Sequence, residues 1–292
     1  MNQILNFNTI KTIIEVEGIL TNESPMRIGK GAGILGEVDL PIEKDINDIP
    51  YIPGSSIKGS IRALCEAIAR ASGYHVCDPL NPKSICSIST NAIKRAMDLS
   101  MKGIKLKAIK NEIIKLFKEN QLIHISKNIE SREFSSVNDL INYLTNNYGP
   151  CIVCRIFGNT EIASHIIFYD VYPIVKDLRP LSRTRVAIDR FRGASRAGAL
   201  FTYEYIPKGY EWSFKIRIIN IDLIEGKEPE AKLLRSLMRY LCLHGVQVGG
   251  MKTIGHGLIK IRPEKTNVRK CVVENLEIRC MSYNLAEVLK RW

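Results

Sequence analysis

Apolar and polar positions alternate from Thr12, where TIIEVEGIL sets Ile14, Val16, Gly18 and Leu20 against Glu15, Glu17 and Ile19. A period of two predicts a half-buried strand. After a loop rich in Gly, Pro and Asp that runs to about Tyr51, the period changes. Ile57, Ile61, Leu64, Cys65 and Ile68 fall at i, i+4, i+7, i+8 and i+11, which predicts a helix over 55–72, capped by Ser55 or Ser56 and ended by Gly73. Residues 74–154 form a separate block, with helical patterns near 91–120, broken at Gly103, and near 136–146, and with Gly149-Pro150 closing it. Strand patterns return at His165–Tyr172 and at Glu211–Asn220, where Trp212, Phe214, Ile216 and Ile218 alternate with Ser213, Lys215 and Arg217. A helix is expected from about Glu230 to His244, with Leu234, Leu237, Met238 and Leu241 on one face, followed by a glycine-rich strand, GVQVGGMKTIGHGLIKI.

Without the 74–154 block and the arginine-rich stretch between the middle strands, the order is strand, helix, strand, strand, helix, strand. That predicts an α+β fold with a ferredoxin-like, RRM-like core made of 1–73 and 155–292. An inserted helical subdomain is expected at 74–154. The 292 residues, 45% hydrophobic and 25% charged, suit one elaborated domain or two modest ones and argue against disorder. No apolar run approaches the roughly 18 residues of a membrane span and no leader pattern opens the chain, so a soluble cytoplasmic protein is expected.

Charge changes the picture. The net +12 is concentrated in two places. Residues 179–196 carry six Arg against Asp189, and residues 91–120 carry eight Lys or Arg against three acids, a net +5 in each. The lysines of 91–120 lie between helically spaced apolar residues and read as a solvated helix surface. The 179–196 stretch uses Arg, whose planar fork meets phosphate bidentately and stacks on bases, so it reads as a nucleic-acid arm.

Eight cysteines in an intracellular chain point to metal or burial more than to disulfides. Cys65 and Cys242 sit on helical apolar faces, as core residues do, while Cys271 and Cys280 carry no readable signal. Cys151-Ile-Val-Cys154 has the spacing with which two thiolates reach one tetrahedral zinc, and Cys77 and Cys86 at the other end of the insertion supply the second pair, His75 being an alternative ligand. Such a zinc would tie together an excursion with little apolar surface of its own. Four reduced thiols, or disulfides, are the competing readings.

Two glycine-bearing segments suggest anion chemistry. Pro53-Gly-Ser-Ser-Ile-Lys-Gly-Ser-Ile-Arg62 opens the first helix with free amides and hydroxyls, and Lys58 and Arg62 lie one turn apart. It does not satisfy the Walker pattern. Gly249-Gly-Met-Lys-Thr-Ile-Gly-His-Gly257 permits close backbone approach and adds Lys252.

Together with GEVDLPIEKD, CIVCRIFG and RTRVAIDRFRGASRAGALFTYEYIPKG, these two segments resemble the RAMP superfamily of CRISPR systems, in particular the Csm-type backbone subunit of type III effector complexes. The five segments occur in the expected order between about residues 12 and 262. The resemblance implies a subunit that polymerises head to tail along guide RNA, beside other effector subunits. Ser55, Ser56, Lys58 and Arg62 would meet guide phosphates beside Gly250, Lys252, Gly255 and Gly257. Arg183, Arg185 and Arg190 would lie on a thumb-like hairpin at about 177–203. Asp39 of GEVDLP would be the catalytic carboxylate for cutting complementary target RNA with Mg²⁺ or another divalent cation. Asp45 and Asp48 are nearby rivals, and His256 is a possible general acid. A non-catalytic RNA-binding subunit and a metal-independent guide-processing endonuclease are the alternatives. No histidine stands beside Asp39, which argues against the latter. The insertion at 91–120 exceeds that of the smallest relatives, and its role stays open.

Overall fold

A computed structural model describes residues 9–29, 38–78, 81 and 84–292; Gly36 and Glu37 of the GEVDLP segment lie outside them. In chain order the first elements are β1 (Thr12–Asn22), α1 (Gly54–Ala71), α2 (Ile85–Met101), α3 (Leu106–Glu119), α4 (Ile123–Glu130), α5 (Val137–Tyr148) and α6 (Ile152–Phe157). They are followed by β2 (Ile166–Phe168), β3 (Tyr172–Pro173), β4 (Leu181–Asp189), β5 (Ala194–Tyr205), β6 (Glu211–Ile219) and α7 (Pro229–Leu243). β7 (Val246–Gln247), β8 (Leu258–Glu274), β9 (Glu277–Asn284) and α8 (Leu285–Arg291) complete the chain. The chain forms two compact units, a helical one built on Glu66–Ile166 with Glu228–Glu230 and a sheet-bearing one of Lys11–Cys65, Ile167–Lys227 and Ala231–Trp292.

The main sheet runs β2-β6-β1-β8-β7, with β3 added to β6 and β9 to β8. β1 is central and antiparallel to both neighbours, from Ile13 opposite Ile219 on one side to Asn22 opposite Ile259 on the other. The alternation read from sequence is realised: Ile14, Val16 and Leu20 of β1 and Trp212, Phe214, Ile216 and Ile218 of β6 are buried. Ile57 and Ile61 of α1 and Leu241 of α7 line one apolar space with Leu20, Phe214, Ile216, Ile259 and Ile261, so both helices cover the same face of the sheet. Among the described residues no helix is long and apolar enough to cross a membrane.

The helical unit has its own core. Thirteen residues from α2, α3, α4 and α5, among them Ile93, Ile113, Phe117, Ile129 and Leu144, are buried together. This corrects the expectation that the excursion has little apolar surface of its own: each helix is short, but their apolar stripes close on one another. The lysines of the unit are a solvated surface, with Lys94–Glu161, Arg95–Glu112, Lys115–Glu119 and Lys118–Glu130 paired at its exterior. Each such pair contributes roughly 0–1 kcal/mol.

Other expectations need revision. The strand at His165–Tyr172 is interrupted because Asp170 turns away to accept a hydrogen bond from the Gly54 amide at 2.8 Å. That bond caps α1, so Ser55 and Ser56 lie within its first turn and do not cap it. The glycine-rich strand divides into β7, a 3₁₀ turn at Lys252–Ile254 and β8. Cys271 and Cys280, directly opposed on β8 and β9, form a disulfide, against the expectation from cysteine usage.

Candidate nucleic-acid interface

The glycine-rich loop is locked from below. Gly250 N–H donates to the Arg27 carbonyl at 2.9 Å and Gly257 N–H donates to the Pro25 carbonyl at 2.8 Å. Gly249 and Gly257 have φ of 76° and 87°, and a Cβ on either would stand 2.2 Å or less from a backbone oxygen, of Arg27 and Val248 respectively. Only glycine lets the loop lie this close to its support. Gly255 ends the turn in the left-handed region.

From this loop Lys252 Nζ reaches Ser60 Oγ at 3.5 Å, which brings the loop and the first turns of α1 together. Ser55 is exposed, and Ser56, Lys58 and Arg62 are half-buried. Burial, and after it the charge of Arg62, holds the Lys58 ammonium below its ordinary pKa. Two cations one turn apart in a partly desolvated place favour an arriving anion.

β4 and β5 form a separate antiparallel hairpin with Arg183 opposite Tyr203 and Arg185 opposite Phe201. Each arginine leans along the ladder onto a tyrosine, Arg183 over Tyr205 at 5.0 Å and Arg185 over Tyr203 at 5.3 Å. This packing holds the guanidiniums in place while leaving their N–H edges for other partners. Arg190 stands exposed at the hairpin turn, apart from these contacts. Asp189 Oδ1 accepts from the Phe191 and Arg192 amides at 2.9 and 3.2 Å and shapes that turn.

Asp39 lies at the root of the hairpin. Its exposed carboxylate accepts a hydrogen bond from Thr202 N–H at 2.7 Å, and Leu40 bridges to Tyr203 in parallel. The rivals are engaged elsewhere: Asp45 Oδ1 accepts from the amides of Asn47 and Ile49, and Asp48 pairs with Lys44.

Tyr203 is fully buried and packs 6.0 Å from the ring of His256 in the glycine loop. The hairpin root and the loop therefore share one packed layer. His256 is buried, 4% exposed. Burial above all, with the nearby charges of Arg185 and Arg183, holds its pKa below the usual histidine value. On acidification the unfolded chain therefore takes up the proton first. Stability should fall as pH drops below about 6.5, and His256→Phe should flatten that slope in denaturant titrations.

Sequence reasoning missed Arg27 and the tyrosines. The period-two spacing of Tyr203 and Tyr205, facing the arginines of a paired strand, was the available signal for the latter.

The second cluster lies in the helical unit. The sulfurs of Cys77, Cys86, Cys151 and Cys154 all lie within 4.8 Å of one another and are buried, so the group could hold a metal ion. Cys77 Sγ is 3.3 Å from that of Cys154 and 3.8 Å from that of Cys151. Cys151 caps α6, and contacts with the sulfurs of Cys154, Cys77 and Cys86 pull its thiol pKa down. His75 is exposed and outside the group, which corrects its place as an alternative ligand. Cys65 and Cys242 are buried apart from it, and desolvation pushes the Cys242 thiol up to about 12.

Comparison with known proteins matches residues 19–260 to the RAMP superfamily model. The CRISPR system Cms endoribonuclease Csm3 of Methanocaldococcus jannaschii is 25% identical over 270 residues, covering 88% of this chain and 82% of that protein. The protein of the same name from Mycobacterium tuberculosis is 43% identical over 54 residues, 18% of this chain and 23% of that one.

Proposed function

Since the chain belongs to the RAMP superfamily, we propose that it is the backbone subunit of a type III CRISPR effector complex. It grips guide RNA through the sugar-phosphate chain, stacks head to tail with further copies, and cuts complementary target RNA in the cytoplasm. The observation that carries this reading is the tethering through Lys252 and Ser60 of the glycine loop to α1, the helix that also carries Lys58 and Arg62. The likeness to Csm3 over most of the chain supports it. The sheet order β2-β6-β1-β8 with two helices on one face supports a ferredoxin-like core, with 74–154 as the insertion and 177–203 as the thumb.

In this reading Ser55, Ser56, Lys58, Arg62 and the loop from Gly250 to Gly257 hold guide phosphates, and Arg183, Arg185 and Arg190 contact RNA from the hairpin. Backbone contacts leave the bases free to pair. Asp39 orients the ribose hydroxyl in line with the scissile phosphodiester, where alignment lowers the barrier most. A single exposed carboxylate suits Mg²⁺, which binds through one or two carboxylates plus phosphates and supplies charge stabilisation at the scissile group. The four cysteines suit zinc. A Zn–S length of roughly 2.3 Å in a tetrahedron sets the sulfurs about 3.8 Å apart, close to the separations observed.

Binding should fall steeply with salt. Lys58→Ala should reduce the log–log slope for single-stranded RNA by about 0.7, the contribution of one phosphate contact. A slope unchanged by the substitution would remove Lys58 from the interface.

One observation favours a second reading, a non-catalytic subunit of the same complex. Asp39 already has a structural task in accepting the Thr202 amide. Cutting that survives loss of the Asp39 charge would select it.

A further inference from the structure

One strongly charged surface takes no part in the proposed function. α7, α8 and the segment 224–227 border an open cleft of about 480 Å³. Lys227, Lys232, Arg235, Arg239 and Arg291 line it, against one side-chain carboxylate, Glu225. That carboxylate is occupied, because Lys270 Nζ donates to it at 2.6 Å. None of the residues assigned to guide RNA or to cutting lines the cleft.

Two of the five cations are held in place without being cancelled. Arg235 donates to the carbonyls of Leu223, Ile224 and Gly226 at 3.3, 3.4 and 2.6 Å, and Arg239 donates to the Leu289 carbonyl at 3.2 Å. These acceptors are neutral. None of the five cations enters an ion pair among the described residues. Cations gathered in a concave site repel one another and raise the local concentration of anions.

The spacing says how large the anion is. Lys232, Arg235 and Arg239 lie at i, i+3 and i+7 on α7, a row about 10 Å long at a rise of roughly 1.5 Å per residue. One phosphate cannot meet both ends. Three of the five are arginines, whose forked donors match phosphate oxygens.

We propose that this cleft is a second polyanion site that takes two or more consecutive phosphates. The same chemistry has two sources, a single-stranded RNA backbone and a free nucleoside triphosphate.

The test uses the full chain, with ATP, inorganic tripolyphosphate and oligouridylate as separate probes in titration calorimetry. The variant K227E/K232E reverses two exposed charges that hold no backbone, so the fold is spared. A control, K102E/K107E, makes the same charge change on the helical unit. A loss of about tenfold or more in ATP and tripolyphosphate affinity, specific to the first variant, assigns the site to a free polyphosphate. A fall of about 1.4 in the RNA salt slope, without ATP binding, assigns it to RNA. Equal losses in both variants, no loss in either, or preferential binding of polyglutamate would overturn the proposal. Repeating the RNA titrations in a Lys58→Ala background separates the two sites. If the guide-binding reading fails, Lys58→Ala has no effect while the effect at 227 and 232 persists.

Discussion

Replacing Asp39 with Ala should abolish metal-dependent cutting of a complementary RNA, a loss of about 10²–10³-fold, while guide affinity stays within about twofold. The magnitude is that of removing one group that acts on charge or alignment in the transition state. Guide binding is spared because the phosphate contacts are assigned to α1, the glycine loop and the hairpin arginines, and not to this carboxylate. The alanine variant also leaves the Thr202 N–H without its acceptor, so a structural loss has to be separated from a chemical one. Asp39→Asn does this. Its amide oxygen can still accept from Thr202, but the negative charge is gone. Equal inactivation by both substitutions assigns the role to the charge. Full activity in the asparagine variant with loss in the alanine variant assigns it to the hydrogen bond at the hairpin root. Single-turnover cleavage with the guide-loaded complex, with and without Mg²⁺, reads both cases.

The double substitution C151S/C154S should remove about one zinc per chain and lower the unfolding temperature by about 10 °C. Structural zinc contributes folding free energy outright, so a larger effect would be expected of a small excursion held by metal alone. The buried residues of α2 to α5 limit it here. Ile93, Ile113, Phe117 and Leu144 pack without help from the cysteines, so the helical unit should lose its anchored ends and keep its centre. Cys242→Ala is the control, since that thiol is buried apart from the cluster. It should leave zinc content unchanged. Elemental analysis with calorimetric unfolding of the full chain distinguishes the outcomes. A metal-free protein as stable as the double variant would show four plain thiols.

The strands β1 and β6 and the helices α1 and α7 were legible because each must bury one face, and that requirement is written as a period of two or of 3.6. The four cysteines were legible for a related reason, since their ligand chemistry fixes the residue type. What the sequence hid depends on distant partners. Asp170 reads as one more residue of a strand, yet it leaves the ladder to cap α1 across 116 positions. Cys271 and Cys280 have no local pattern until β8 and β9 pair in the register that opposes them. Arg27 stands in a loop segment, and its importance comes from its carbonyl, which supports Gly250 and which no side-chain pattern reports. Within the candidate site, Asp39, Lys58 and the glycine loop came from motifs. The layer joining the hairpin root to the glycine loop, Tyr203 against His256, required the fold.

The central claim is that this chain holds a guide RNA, and the most direct measurement is to recover the full chain with its native partners and sequence the RNA bound to it. Short RNAs of uniform length, each carrying a common repeat-derived segment joined to a variable one, are the predicted result. A population that mirrors bulk cellular RNA, with no repeat-derived segment enriched, would contradict it.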